Sequence, residues 1–102
     1  MPKLKQFNDK EFNINVAGKN IIFANNPASK TYIKNRMDRM LSKEPETIKW
    51  INGFDKTSVF FDIGANIGIY SLYSAIVKEN SVYAFEPHAA SYKNLLESIN
   101  LN

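Results

Sequence analysis

Two apolar segments that each end in an acidic residue constrain the fold of this chain more than any other feature. Residues 59–68 read V-F-F-D-I-G-A-N-I-G, and residues 82–87 read V-Y-A-F-E-P. Two such runs, separated by a tight turn with two glycines and by room for a helix, are typical of a β-α-β unit of a nucleotide-type pocket. We therefore predict two neighbouring parallel strands, with one acid at the carboxyl end of each.

The spacing of polar and apolar residues predicts the other elements. Alternation at 11–16, a turn at 17–20 and a returning strand at 20–24 indicate a β-hairpin, and residues 4–7 can pair on its other side. Helices are predicted at 30–41 and 45–51, the second with Ile48, Ile51 and Trp50 facing inward. The fold class is therefore α/β, with a β-hairpin and two short helices in residues 1–56 and a β-α-β-α series in residues 57–102.

In that β-α-β-α series, we expect strands at 58–63 and 81–85 and helices at 67–77 and 88–100. The first strand shows no alternation of polar and apolar residues, which is expected when both faces of a parallel sheet are covered. The last helix is expected to pack through residues spaced i, i+3, i+4 and i+7. Those residues are Tyr92, Leu95, Leu96 and Ile99.

Composition excludes several classes of protein. A length of 102 residues suits one domain, and a hydrophobic content of 44% is ordinary for a folded protein. The chain has no cysteine, so it has no disulfide or thiolate metal site, and we expect no metal. The apolar runs are short and the N-terminus has no signal-peptide core, which predicts a cytoplasmic protein without a membrane partner. The lysines are scattered, so no nucleic-acid partner is expected.

The turn between the first predicted strand of the β-α-β unit and its helix contains residues that let a ligand approach the backbone closely. Gly64 and Gly68 bracket Ala65, Asn66 and Ile67, and glycine lets the backbone adopt positive φ and lets a ligand approach. Asparagine tolerates the left-handed region best among the other residues, so Asn66 suits the same turn. The amides that open the following helix can donate to a polar group of a ligand.

The two acids indicate what kind of ligand this is. Asp62 disfavours a phosphate and suits an amino group or a hydroxyl. Glu86 lies where an acid accepts two hydrogen bonds from a ribose diol, and Pro87 stiffens the turn beneath an adenine. The G-x-x-x-G spacing departs from the G-x-G-x-x-G of nicotinamide sites, so a ribose-bearing ligand of positive character is favoured over a dinucleotide.

These motifs resemble the FkbM family of methyltransferases, which belongs to the class I S-adenosylmethionine-dependent group. The resemblance rests on F-D-I-G-A-N-I-G at 61–68, Y-S-L at 70–72, F-E-P at 85–87, N-L at 94–95 and N-L-N at 100–102. Residues 46–51 are similar to the family's lead-in helix. The resemblance implies a Rossmann-like fold, S-adenosylmethionine as cofactor, and O-methylation of a sugar or small metabolite.

The resemblance also implies roles for the matched positions. Gly64, Ala65, Asn66 and Gly68 would form the loop around the methionine end of the cofactor. Asp62 would lie beneath that loop near the amino group, and Glu86 would hold the ribose hydroxyls. Tyr70 and Ser71 match the family without an assigned role, and no catalytic base is identified. The lone histidine, His88, is expected to be a surface residue at a helix start.

Residues 57–102 correspond to the first half of the family's cofactor-binding domain, so we expect an incomplete domain. We do not expect this chain by itself to catalyse methyl transfer. The expected partners are a small-molecule or glycan methyl acceptor, and a second copy or another chain that completes the sheet. The alternative is a non-catalytic interaction protein, or a self-associating one, that lacks the acceptor site.

Overall fold

The computed structural model of the protein describes residues 3–8, 11–25, 35–36, 39 and 42–102, the first stretch by its backbone. Within these residues the chain has a small α/β fold with two sheets and three helices. In chain order the elements are β1 (Lys3–Asn8), β2 (Glu11–Val16), β3 (Lys19–Ala24), α1 (Pro45–Asn52), β4 (Val59–Ile63), α2 (Ile69–Leu72), β5 (Ser81–Phe85) and α3 (Ala89–Leu101). Helix α2 continues as a π-helical segment over Tyr73–Val77. The helix predicted at 30–41 lies almost entirely outside the described residues.

The first sheet is antiparallel, with strand order β1-β2-β3. Val16 pairs with Lys19, so a two-residue turn joins β2 to β3, and both turn residues have positive φ, 51° at Ala17 and 77° at Gly18. Two positive φ angles in a two-residue turn match the right-handed twist of the flanking strands. The predicted hairpin and the pairing of residues 4–7 on its other side are both confirmed.

The second sheet contains β4 and β5, which run parallel and pair from Val59 with Ser81 to Ile63 with Phe85. The predicted parallel pair is therefore confirmed. The expectation that both faces of β4 are covered is wrong. Phe60 is 7% exposed, whereas Phe61 and Ile63 on the opposite face are 62% and 74% exposed. Helix α2 covers one face of this sheet, and no described element buries the other.

One hydrophobic cluster joins the two segments on either side of residue 56. Its members are Phe12, Ile14, Val16, Ile21, Phe23, Ile48, Ile51, Phe60, Ile67, Ile69, Leu72 and Tyr73. Ile48 and Ile51 of α1 are buried as predicted, but Trp50 is 60% exposed. The Trp50 ring lies edge-on to Phe54 and Phe60, with centroid separations of 4.8 and 5.8 Å.

Helix α3 packs against β3 through polar side chains. Ser98 Oγ accepts a hydrogen bond from the Ala24 amide at 2.8 Å. Asn102 accepts from the Ile22 amide at 2.9 Å and donates to the Ile22 carbonyl at 2.6 Å. These bonds satisfy backbone groups along an edge strand, which would otherwise be open to pairing with another chain.

The packing face predicted for α3 is therefore wrong in most positions. Leu95 is buried, but Tyr92, Leu96 and Ile99 are 51%, 44% and 46% exposed. The helix turns its Ser98 side toward β3 instead, because that edge offers backbone donors and acceptors. The hydrogen-bonded residues lie more than 70 positions apart in the chain, so no local pattern predicts their pairing.

The helix predicted at 67–77 begins at Ile69. Its second half, the π-helical segment, is held in place by hydrogen bonds between buried polar side chains. Ser74 Oγ donates to Asn80 Oδ1 at 3.0 Å, and Asn80 Nδ2 donates to the Asp55 carbonyl at 2.7 Å. The Asn80 amide also donates to the Ser74 carbonyl at 3.1 Å. Asn80 thus ties the π-helical segment to the loop before β4.

Replacement of Asn80 by alanine is expected to lower the free energy of unfolding by about 2 kcal/mol. The Ser74 hydroxyl and the Asp55 carbonyl would lose their buried partner, and unsatisfied buried polar groups are costly. Asn20→Ala is the matched control, since it removes only an exposed bond to Asn15 and should cost less than about 0.5 kcal/mol. Urea denaturation followed by circular dichroism measures both. Equal effects would show that the Asn80 cluster adds no stability.

No helix in the described part of the chain has the length and apolar character needed to cross a membrane.

Candidate functional site

The two predicted acids lie at the same edge of the parallel sheet. Asp62 is the fourth residue of β4, and Glu86 directly follows β5. Ile63 pairs with Phe85, so Glu86 is adjacent to the loop that leaves β4 at Gly64. Both carboxylates are half-buried. The structure therefore brings together Asp62, Glu86 and the loop formed by residues 64–68, as the strand order requires.

The loop of residues 64–68 has left-handed backbone angles at Gly64, Asn66 and Gly68, with φ of 79°, 56° and 95°. The two glycines differ in their surroundings. A Cβ at Gly64 would meet no atom within 4 Å, whereas a Cβ at Gly68 would lie 2.4 Å from Leu95 Cδ1. Gly64 therefore leaves open space beside the loop, and Gly68 is required by the packing of α3.

Most amides of the loop already have acceptors within the protein. The Gly64 and Ala65 amides both donate to the Phe85 carbonyl, at 2.8 and 2.9 Å, and the Gly68 amide donates to the Ala65 carbonyl at 2.9 Å. Ala65 itself is buried. The loop consequently offers few N–H donors to a ligand. A cationic group needs acceptors rather than donors, so this arrangement does not oppose a positively charged ligand.

Glu86 joins the end of β5 to the loop. Its Oε1 accepts a hydrogen bond from the Asn66 amide at 2.8 Å, and its Oε2 accepts from the His88 amide at 2.7 Å. Pro87, between the carboxylate and the second amide, is exposed. A carboxylate oxygen can accept more than one hydrogen bond, so each oxygen retains capacity for a ligand hydroxyl. The two backbone bonds fix the carboxylate in one orientation.

Asp62 is oriented by a residue to which the sequence assigned no role. Ser71 Oγ donates to Asp62 Oδ2 at 2.6 Å, and Ser71 is 4% exposed in the first turns of α2. The bond connects the carboxyl end of β4 to the helix that follows the loop. Its only signal in the sequence is a hydroxyl residue one turn into the helix, which by itself does not identify the partner.

Tyr70, the other family match without an assigned role, connects this edge to the segment before α1. Its hydroxyl donates to Glu44 Oε2. Burial is the first cause that raises the pKa of Tyr70 to about 12, and the hydrogen bond to Glu44 and the charge of that carboxylate add to it. Tyr70 is therefore a neutral donor at any physiological pH.

The raised pKa of Tyr70 predicts a pH dependence of stability. Because the folded pKa is above the ordinary value of 10.0, the stabilisation is complete below pH 10 and is lost between pH 10 and about 12. The difference in unfolding free energy between the wild type and Tyr70→Phe should shrink over that window. Absorbance at 295 nm, subtracted between the two proteins, should show a phenol that titrates near pH 12. A difference curve with its midpoint near pH 10 would refute this environment.

His88 is exposed and precedes the first turn of α3, as the sequence predicted. Its Nδ1 accepts a hydrogen bond from the Ser91 amide at 3.4 Å, so its ring acts as an N-cap. Within the described residues, no group of three or more His, Asp or Glu side chains could hold a metal ion.

A cavity of about 330 Å³ adjoins this edge, between α2 with its π-helical continuation, β5 and the end of α3, and Ser71, the partner of Asp62, is one of its lining residues. Its lining is mostly aliphatic and includes Leu72, Ile76 and Val82, and it contains neither of the two acids. None of its lining residues is charged, so a charged ligand would lose hydration there without meeting an opposite charge. The cavity is therefore a poor binding site for a sulfonium, and the carboxyl ends of β4 and β5 are the better candidate for the ligand site.

Comparison with known proteins adds no assignment to this geometry: no family model, no curated protein and no solved structure matches the chain.

Proposed function

We propose that this chain carries the cofactor-binding part of an S-adenosylmethionine-dependent methyltransferase of FkbM type, acting on an oxygen of a sugar or small metabolite. The proposal is supported most by one contact, the hydrogen bond from the Asn66 amide to Glu86 Oε1 at 2.8 Å. That contact joins the acid at one strand end to the glycine-bracketed loop at the other.

The residues at this edge match the chemical groups of S-adenosylmethionine. Glu86 has unused lone pairs for a ribose diol, and its carboxylate is already oriented by two backbone amides. Asp62, oriented by Ser71, supplies negative charge for an amino group. Gly64 leaves open the space that a side chain would fill. In this proposal Ala65, Asn66 and Gly68 shape the loop, and Pro87 lies beside the adenine.

When bound, S-adenosylmethionine supplies a sulfonium methyl group for in-line transfer to a nucleophile. The role of the chain is to hold the adenosyl and methionine ends in place, and positioning alone accounts for much of the acceleration of such a transfer. We assign no general base, because the two carboxylates at this edge, Asp62 and Glu86, already have roles in holding the cofactor in this proposal. The methyl acceptor is proposed only as a class, an oxygen nucleophile on a sugar or small metabolite.

Amide chemical shifts test this proposal at the level of individual residues. Titration of the ¹⁵N-labelled chain with S-adenosylhomocysteine should give the largest changes at residues 62–68 and 86–88. NADH, which also contains an adenosyl ribose but carries a pyrophosphate, should give much smaller changes, because Asp62 disfavours a phosphate. Changes centred on the apolar cavity, or an equal response to NADH, would refute the assignment of the strand ends.

A further inference from the structure

The parallel sheet has an apolar face that no described element buries. We call it the open face, and it consists of Val59, Phe61, Ile63, Ser81, Tyr83 and Phe85, all exposed. The rings of Phe61, Tyr83 and Phe85 contact one another, with Phe61 5.4 Å from Tyr83 and 6.2 Å from Phe85 between centroids. The open face is thus a continuous patch with Phe61 in contact with both aromatic neighbours.

The size of the open face lies at the upper end of what isolated chains usually expose. Val59, Phe61, Ile63, Tyr83 and Phe85 are 57%, 62%, 74%, 58% and 48% exposed. Since a fully exposed aromatic side chain presents about 150–250 Å², the patch amounts to roughly 600 Å². The largest apolar patch on a typical monomer is about 300–600 Å², and parallel strands are normally covered on both faces. A face of this kind favours a protein partner.

Area and charge both favour a second copy of the chain as that partner. Two open faces in contact would bury roughly 1,200 Å², which reaches the lower bound of a specific protein interface. None of the six residues carries a formal charge, so two identical faces can meet without like-charge repulsion. The face also lacks the lysines and prolines that usually discourage association of exposed β structure.

We propose that the chain forms a symmetric dimer in which two open faces pack against each other. Sheets stack face to face about 10 Å apart with interdigitated side chains, and a two-fold axis lets the same patch serve both copies. Phe61, which touches two other rings of the patch, lies within the contact. This inference does not depend on the proposed cofactor site, because the experiments that test the dimer contain no cofactor.

Sedimentation velocity over a concentration series tests the dimer with a matched pair of variants. Phe61→Glu places a charge in the open face and should raise the dimer dissociation constant at least tenfold. Leu96→Glu is the control, because Leu96 is also exposed, at 44%, but lies on α3. It should leave the constant within about threefold of the wild type. Far-UV circular dichroism verifies that both variants are folded.

A label gives a second measurement that needs no disruptive variant. The chain has no cysteine, so Thr57→Cys provides a unique attachment site for a spin label, at an exposed residue just before β4 and outside the open face. A face-to-face dimer should give one intermolecular distance below roughly 35 Å, which disappears on dilution with unlabelled chain.

Three outcomes would overturn the proposal. The first is a wild-type protein that stays monomeric at high concentration. Binding of that monomer to phospholipid vesicles through the open face would count as the same outcome. The second is open-ended aggregation without a discrete dimer, and the third is a dimer that Phe61→Glu leaves intact.

Discussion

Replacement of Gly68 by alanine should lower the free energy of unfolding by roughly 2–4 kcal/mol. Two costs combine at this position. The backbone has φ of 95°, which a side chain tolerates poorly, and the added Cβ would lie 2.4 Å from Leu95 Cδ1. Leu95 is 2% exposed, so it has little room to move aside. Urea denaturation measures the change.

Gly18→Ala is the matched control for Gly68→Ala. Gly18 has a similar positive φ of 77°, but a Cβ there would meet no atom within 4 Å. Only the backbone cost applies, so we expect a loss of about 1 kcal/mol. Combining Gly68→Ala with Leu95→Ala should recover part of the steric cost, which a double-mutant cycle measures. If Gly68→Ala and Gly18→Ala cost the same, the contact with Leu95 does not determine the need for glycine.

Replacement of Glu86 by alanine is expected to weaken binding of S-adenosylmethionine by roughly 1.5–3 kcal/mol, or about 10- to 150-fold. The variant would lose the charge-assisted contact to the ribose that we propose for Glu86. It also releases the Asn66 amide, so the loop loses the bond that joins it to the end of β5. Isothermal titration calorimetry measures the affinity.

Two further variants separate these contributions of Glu86. Glu97→Ala removes an exposed carboxylate from α3 and should leave binding unchanged. Glu86→Gln keeps an oxygen acceptor for the Asn66 amide but removes the charge, so its affinity should lie between those of the wild type and Glu86→Ala. Equal loss in Glu97→Ala and Glu86→Ala would mean that net charge, rather than a contact at Glu86, controls binding.

Local sequence signals predicted the elements that they control. The turn predicted at 17–20 correctly indicated a hairpin, although the observed turn is only Ala17 and Gly18. The glycine-bracketed turn correctly indicated left-handed angles at Gly64, Asn66 and Gly68. The apolar run at 81–85 matches β5 residue for residue. Placing acids at the carboxyl ends of parallel strands was enough to predict that Asp62 and Glu86 flank one loop, because strand direction alone fixes that edge.

Tertiary packing decided what local signals could not. The apolar run at 58–63 suggested a strand covered on both faces, yet burial depends on which elements reach each face, and Phe61 and Ile63 are exposed. Likewise, the outward position of Leu96 follows from the hydrogen bonds of Ser98 and Asn102 to β3. A strong apolar pattern indicates that a face needs a partner, but it does not identify the partner.

At the candidate site too, local sequence signals did not identify the hydrogen-bond partners. Ser71 and Tyr70 matched a motif, but their partners Asp62 and Glu44 became evident only when α2 was placed beside the strand end and the segment before α1. The sequence also gave no sign that the Gly64 and Ala65 amides continue the pairing with Phe85. The acids were predictable from strand ends, and their hydrogen-bond partners required the fold.

We propose that the edge formed by Asp62, the loop and Glu86 binds an adenosyl sulfonium. Calorimetric titration of the wild-type chain with S-adenosylmethionine, with NADH as the comparison ligand, tests that claim most directly. We expect saturable one-to-one binding of S-adenosylmethionine, with NADH at least tenfold weaker. Absence of heat from S-adenosylmethionine with a folded chain, or tighter binding of NADH, would contradict it.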